Sequence, residues 1–409
     1  MNNFYLLYID PGTGSALFSI LIGIAATLFF LSRALIIKFK YIFAGKKNKI
    51  NHISPFKYVI YNEGKQYWNV FKTTIEEFEN NKTELRYLTS SSDDPVFKTS
   101  WNYIKPEFIG EGNKAFVYLN FLNAEFVLMT TPGLNVYQLK RSKTVKHYSH
   151  VLHSPADTTT YRLFGLDYFN SVLLTGDYQI DDIRFLENKR QQKEKQLVTV
   201  GCSYLDVYLE KINQIPLEEN SPFTVLVSPS WGASALLSKY GIKLLDPLVD
   251  CGWRIIIRPH PQSCKTERKI LDNLEFHYKN NKNIIWDYER ENIYSLKKSN
   301  IMISDFSGII FDFMFLCDKP VLYVNHDFDP SPYDSDDIEH ELWQFKVLKN
   351  AGIELKEEDF CNIKSIIEKT NDSEILKIER KKALEAAWQY QGESGKNIYN
   401  FMVKTENND

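Results

Sequence analysis

Beyond residue 50 the chain alternates short β-branched runs with amphipathic stretches, and that alternation restricts the fold more than any other feature. Strands that alternate with helices form βαβ units, whose right-handed crossovers build parallel sheets. Residues 56–60, 115–119, 126–130 and 171–175 read as strands, 66–79 as a helix and 161–168 as a short helix. The polar run 187–196 (ENKRQQKEKQ) suits an exposed connector or a helix end. After it the alternation restarts, with strands at 197–200, 224–228, 254–257, 283–286, 301–304 and 321–324. Helices fit between them at 205–212, 233–248, 293–298 and 309–315, and 374–400 reads as a charged helical tail able to pack back across both halves. The expected body is two doubly wound α/β halves, 51–195 and 196–365, followed by a tail, 366–409.

Residues 1–50 are of another kind. Residues 11–32 carry no charge, and at about 1.5 Å per residue a helix of that length crosses a hydrocarbon core of about 30 Å. Within 1–50 the bases Arg33, Lys38, Lys40, Lys46, Lys47 and Lys49 face one acid, Asp10, a net +5. The whole chain sums to −3, so the body carries −3 − 5 = −8. All the bases follow the apolar run, the reverse of a cleavable signal peptide. The positive-inside rule then predicts a single-pass anchor with its N-terminus outside and the body in the cytoplasm. Cys202, Cys251, Cys264, Cys317 and Cys361 are odd in number and scattered, which fits unpaired thiols in a reducing compartment. The near-neutral total of −3 argues against a dedicated nucleic-acid binder, whose basic footprint should dominate.

Ligands of open parallel sheets bind beyond the carboxyl ends of the strands, so the polar residues that follow strands are the candidate site. The run at 254–257 stops at Arg258, Pro259, His260 and Pro261, where two prolines hold a guanidinium and an imidazole in place. The competing reading is a loop with an arginine ion pair. The next run ends at Ser304 and Asp305, and Ser307 and Gly308 then open a helix able to receive an anion. Asp312 lies further inside that helix, suited to sugar hydroxyls. Ser228, Ser230 and the Gly232 backbone follow a third strand as a small polar nest, or as a turn capping the next helix. In the first half, His147, His150 and His153 tempt a metal reading, but strand alternation would put His147 and His153 on one face and His150 on the other. No metal or cofactor is expected. His153, at the carboxyl end of its expected strand, suits a general base. The acidic stretch 334–341 reads as a solvated loop.

Together these segments resemble the CDP-glycerol glycerophosphotransferases, which include teichoic acid primases and polymerases. The resemblance rests on Arg258, Pro259, His260 and Pro261, on the run from Ser304 to Asp312, and on Lys319 to Tyr323. Gly201 to Asp206 and Ser228 to Trp231 resemble the segments opening that family's donor half, and His153 occupies the place of its His-Gly segment. Ser154 replaces that glycine, and Gly308 replaces one serine of the usual pair. The resemblance implies a GT-B fold: two Rossmann-like domains facing a cleft, here behind one N-terminal transmembrane helix. It implies a CDP-glycerol or CDP-alditol donor, a lipid-linked saccharide or polymer acceptor at the inner leaflet, and release of CMP. His153 and His260 would then be catalytic. Arg258, Ser304, Asp305, Ser307, Gly308, Asp312, Ser228 and Ser230 would hold the donor. The alternatives are a GT-B glycosyltransferase or 2-epimerase acting on a UDP-sugar, since the SDFSG element also resembles that of nucleotide-sugar 2-epimerases, which share the GT-B architecture, and a non-catalytic membrane-tethered assembly protein.

Overall fold

The computed structural model describes residues 54–216, 221–289, 291–305, 307–324 and 328–405. The uncharged run and the basic segment after it lie outside the described residues, and among those described no helix is long and apolar enough to cross a membrane. The body from Pro55 onward contains two parallel sheets. The first has seven strands in the order β3-β2-β1-β4-β5-β6-β7. These are β1 (Phe56–Asn62), β2 (Leu85–Thr89), β3 (Ile104–Phe108), β4 (Ala124–Met129), β5 (Val145–Val151), β6 (Ser171–Leu174) and β7 (Gln196–Thr199). The second has six, in the order β10-β9-β8-β11-β12-β13. These are β8 (Thr224–Val227), β9 (Arg254–Ile257), β10 (Ile284–Trp286), β11 (Ile301–Ser304), β12 (Val321–Tyr323) and β13 (Gly352–Glu354). Both sheets are doubly wound, with helices on each face, so central strands such as β8 and β11 are buried along their whole length. The α/β class with two Rossmann-like halves is therefore the observed architecture.

Several local expectations change. Residues 115–119 belong to the helix Asn113–Asn120, not to a strand; Ala115 and Leu119, four apart, form its buried side. The run AFVYL satisfies either period over so short a length. Residues 161–168 are not helical. Strands β2, β3 and β13 were not anticipated, and β3 carries Pro106, which an edge position tolerates. The polar run 187–196 does not separate the halves: Gln196–Thr199 pairs with β6 as the last strand of the first sheet, so the division falls after it.

The tail returns across the molecule as two helices, Glu374–Ala387 and Ser394–Thr405. The first packs in the core of the second half through Ala383, Ala387 and Trp388. The second lies on the first sheet's helix Trp68–Asn80, where Ile398, Phe401 and Met402 join Phe71, Ile75 and Phe78. The buried carboxylate of Asp206 grips the turn between them. It accepts hydrogen bonds from Trp388 Nε1 at 2.9 Å, Gly392 N at 2.8 Å, Ser394 N at 3.2 Å and the Ser394 hydroxyl. The turn presses so close that a Cβ on Gly201 (φ +96°) would lie 2.6 Å from the Gln389 carbonyl oxygen.

A second seam joins the halves through the acidic stretch after β12, which is not the solvated loop expected. Asp334 is buried, accepts the backbone N–H groups of Phe164 and Gly165, and pairs with Arg190 at 2.6 Å. The same guanidinium reaches Asp167 at 2.8 Å and Asp337 at 2.8 Å. Alongside, Asp157 of the first half accepts the N–H groups of Trp343 and Gln344, which open the helix Trp343–Ala351.

Asp206→Ala should strip acceptors from buried donors and release the tail, costing at least about 3 kcal/mol at about 1–3 kcal/mol per unsatisfied group. Urea unfolding of the purified protein measures this; a loss under about 1 kcal/mol would show that the turn does not depend on Asp206.

Candidate active site

In the second sheet the strand order reverses between β8 and β11, the point at which doubly wound sheets open a crevice. Ser304 and Ser228 close the bottom of that opening. The Ser304 hydroxyl donates to the Ser228 carbonyl oxygen at 2.5 Å, and Ser228 N donates to the Ile303 carbonyl oxygen at 3.0 Å. Asp305 is buried beside them and accepts from Ser230 N at 2.9 Å, the Ser230 hydroxyl at 2.8 Å, Leu236 N at 3.2 Å and Ser307 N at 3.3 Å. Ser228, Ser230, Ser304 and Asp305 are thus spent on one another, shaping the loop 228–236. A carboxylate taken out of water needs such donors. Ser307 and Gly308 differ. No described protein group takes the Ser307 hydroxyl, and a Cβ on Gly308 would meet nothing within 4 Å. The start of the helix Ile309–Cys317 therefore faces open space, where its dipole favours an anion.

The register of β9 on β10, Ile257 against Trp286, puts Arg258 next to Asp287. Their side chains pair at 2.6 Å, and the guanidinium also donates to the Glu289 carbonyl oxygen at 2.6 Å. Asp287, held as well by the Ser295 hydroxyl and Glu289 N, stays below the ordinary carboxylate range against the pull of burial. The arginine is a buttress for the strand ends, the competing reading made from sequence. His260, two residues on, is half-buried; its Nδ1 accepts the Gln262 N–H at 3.1 Å. The neutral ring therefore carries its proton on Nε2, as a donor. Partial burial lowers its pKa, and the exposed Trp231 ring stacks at 6.4 Å.

Asp312 is almost fully buried beneath this opening rather than displayed in it. Burial pushes its pKa up to about 7, although the neighbouring Tyr204 and Asn292 side chains favour the ionised form. Tyr204 belongs to the helix Ser203–Asn213, the element that Asp206 locks to the tail. On the same helix the Tyr208 side chain lies within electrostatic reach of Asn69 of the first half, Asp312 and Arg258.

Asn69 leads to the first-half residues. Tyr67, two positions earlier, packs its ring edge-on against His153 at 5.2 Å. His153 Nδ1 lies 3.0 Å from the Thr130 hydroxyl, at the end of β4, and 3.3 Å from the Tyr161 hydroxyl. Its Nε2 is the ring nitrogen left to meet a ligand. Burial pushes its pKa down to about 4, so the imidazole is neutral at neutral pH. The Tyr161 hydroxyl also reaches His150 Nε2 at 3.2 Å. His147 lies elsewhere, stacked on Phe126 at 4.6 Å and bonded to the Ser171 hydroxyl. The histidine pair is thus 150 and 153 and not 147 and 153, because β5 ends at Val151 and the alternation ends with it. Among the described residues no group of His, Cys, Asp and Glu side chains could hold a metal ion. Tyr67, Thr130, Tyr161 and Tyr208 were not singled out from sequence; only Thr130, at the end of a run read as a strand, carried a signal.

A family model described as CDP-glycerol:poly(glycerophosphate) glycerophosphotransferase matches residues 177–401, more than half of the chain. Among solved structures the chain is similar to the wall teichoic acid polymerase TagF, with a TM-score of 0.57 and 15% identity over 92% of this chain and 97% of that one. It is also similar to the UDP-GlcNAc 2-epimerase of Methanocaldococcus jannaschii, with a TM-score of 0.53 and 13% identity over 86% of this chain and 99% of that one. The Neisseria meningitidis UDP-GlcNAc 2-epimerase gives a TM-score of 0.52 and 13% identity, over 85% and 99%. At such identities the likeness is one of fold. No curated protein matches in sequence.

Asp312 makes stability depend on pH. Its folded pKa, about 7, lies above the ordinary 3.8, so its contribution is full below about pH 4 and is lost as pH rises through 7. Between pH 5 and pH 8 Asp312→Asn should gain about 2–3 kcal/mol on the native chain. Urea unfolding at both pH values checks this; parallel pH profiles would show that the carboxyl is not titrating in the folded state.

Proposed function

The chain belongs to the CDP-glycerol:poly(glycerophosphate) glycerophosphotransferase family and is a glycerophosphotransferase enzyme, and from that premise we propose that it moves glycerol phosphate from CDP-glycerol to a lipid-linked saccharide or growing polymer. The observation that carries this reading is the extent of the match: it includes Arg258, His260 and the whole run from Ser304 to Asp312. Several residue types there suit a pyrophosphate donor. The Ser307 hydroxyl and the open helix start at Gly308 receive phosphate oxygens, and the His260 Nε2–H donates to them. Arg258, neutralised by Asp287, keeps His260 in place. Asp312 acts through Tyr204 on the floor of the opening.

His153 lies outside the matched segment, and its role is argued from its chemistry. The acceptor hydroxyl oxygen attacks the phosphorus that bears glycerol. The bond from that phosphorus to the bridging oxygen breaks, CMP leaves with the electron pair, and the acceptor proton passes to His153 Nε2. Such a reaction asks the protein mainly to position its groups and to spread charge. Thr130 and Tyr161 at Nδ1 orient the ring, and Tyr67 packs its edge. Residues 11–32 serve as a single-pass anchor with the N-terminus outside, which holds the body at the inner leaflet, where a lipid-linked acceptor would be extended. The product is a cell-surface polymer of the teichoic or capsular kind.

His153→Ala and His260→Ala should each lower CMP release from CDP-glycerol, in the presence of lipid-linked acceptor, by at least about 100-fold. Full activity in both would refute the assignment. Titration with CDP-glycerol and UDP-GlcNAc separates this reading from UDP-sugar chemistry, which preferential UDP-GlcNAc binding would favour.

A further inference from the structure

His153 can act as a base in only one of its two neutral forms. For Nε2 to take a proton it must be bare, so the ring's own proton has to sit on Nδ1. Nδ1 faces two hydroxyls, Thr130 at 3.0 Å and Tyr161 at 3.3 Å. A hydroxyl donates to a ring nitrogen as readily as it accepts from one. If either donated to Nδ1, the ring proton would move to Nε2 and the base would be lost.

Tyr161 is held between two rings. Its hydroxyl lies 3.2 Å from His150 Nε2 and 3.3 Å from His153 Nδ1. Burial pushes its pKa up, so it stays a phenol with one proton. One proton serves one nitrogen: when Tyr161 donates to His150 it accepts from His153, and the reverse arrangement reverses both. His150 is fully buried, edge-on to Tyr161 at 5.3 Å and to Phe169 at 5.1 Å. Burial, and then the neighbouring His153, hold its pKa well down, so it too is a neutral ring with one proton. Its Nδ1 makes no hydrogen bond, but the Thr131 main chain favours a proton on the ring. With Nε2 turned to Tyr161, that proton belongs on Nδ1, and Nε2 is left as an acceptor.

We infer that His150 is a positioning residue that fixes the tautomer of His153 through Tyr161: Tyr161 donates to His150 Nε2, His153 Nδ1 donates in turn to Tyr161, and His153 Nε2 is left bare toward the acceptor hydroxyl. A buried acceptor behind the base does here what the carboxylate does in a Ser-His-Asp triad. The seam between the halves keeps Tyr161 in place, since Asp334 N donates to its carbonyl oxygen at 2.9 Å and Asp334 is itself paired with Arg190. The inference rests on the reading of His153 as the base, and His150, Tyr161 and His153 all precede the segment matched by the family model.

The full-length protein is isotopically labelled at its histidine ring nitrogens and read by NMR at neutral pH, with signals assigned from those missing in His150→Gln and His153→Asn. In the native chain both His150 and His153 should carry the proton on Nδ1. His150→Phe keeps the bulk of the ring and removes the acceptor. It should shift the His153 proton toward Nε2 and lower kcat for CMP release at least about tenfold, with KM for CDP-glycerol unchanged. His150→Gln, whose amide oxygen can stand where Nε2 stood, should restore the Nδ1 form and most of the rate. Tyr161→Phe, a milder change, should shift the proton as His150→Phe does, so the link is tested even where His150→Phe fails to fold. A proton on Nε2 of either ring in the native chain, or a His153 tautomer indifferent to these variants, overturns the inference. Loss of CMP release in His153→Ala would then leave the base standing. A tautomer that follows His150 while CMP release stays unchanged supports the link and overturns His153 as the base.

Discussion

The buried carboxylate of Asp206 ties together pieces of chain that share no sheet. Taking a carboxylate out of water is costly, and the cost is offset only when donors surround it. Here the donors come from the tail turn, so the helix Ser203–Asn213 and the tail are held by one group. Tyr204 and Tyr208 ride on that helix to Asp312 and Asn69, and Asn69 lies two residues from the Tyr67 ring that packs on His153. The candidate site therefore inherits its shape from a contact made on another side of the helix.

Arg190 plays a comparable part at the second seam, facing Asp167, Asp334 and Asp337. One guanidinium among three carboxylates leaves excess negative charge, and burial raises the Asp334 pKa although Arg190 and two N–H groups oppose that. Buried pairs of this sort contribute little net stability against an apolar alternative, yet breaking one is costly. Their effect is specificity: the segment after β12 can meet the first half in one arrangement. Charge spacing in 334–341 did not reveal this, because an acidic run reads the same whether water or an arginine far along the chain satisfies it.

Most strands of the second half were legible from sequence because they are buried on both faces and read as continuous apolar runs ending in polar residues. The helix Asn113–Asn120 was misread because five apolar residues fit either period, and the edge strand β3 was missed because its exposure and Pro106 remove the pattern. Site residues were legible by position: Arg258, His260, Ser307 and His153 follow strands or open a helix. Their engagement was not, since it depends on neighbours distant in sequence. Arg258 is spent on Asp287, and Asp305 on Ser230, while Ser307 is left open.

By itself the sequence determined the α/β class, the ordering of strands and helices, the charge division between leader and body, and the motifs that mark the family. Those properties are carried by local periodicity and composition, which need no partner. The tertiary structure decided where the halves divide, how the tail grips them, and which polar side chains face a ligand. A carboxylate or guanidinium becomes buttress or binding group according to the donors and acceptors that folding brings within about 3 Å, and no spacing along the chain encodes that distance.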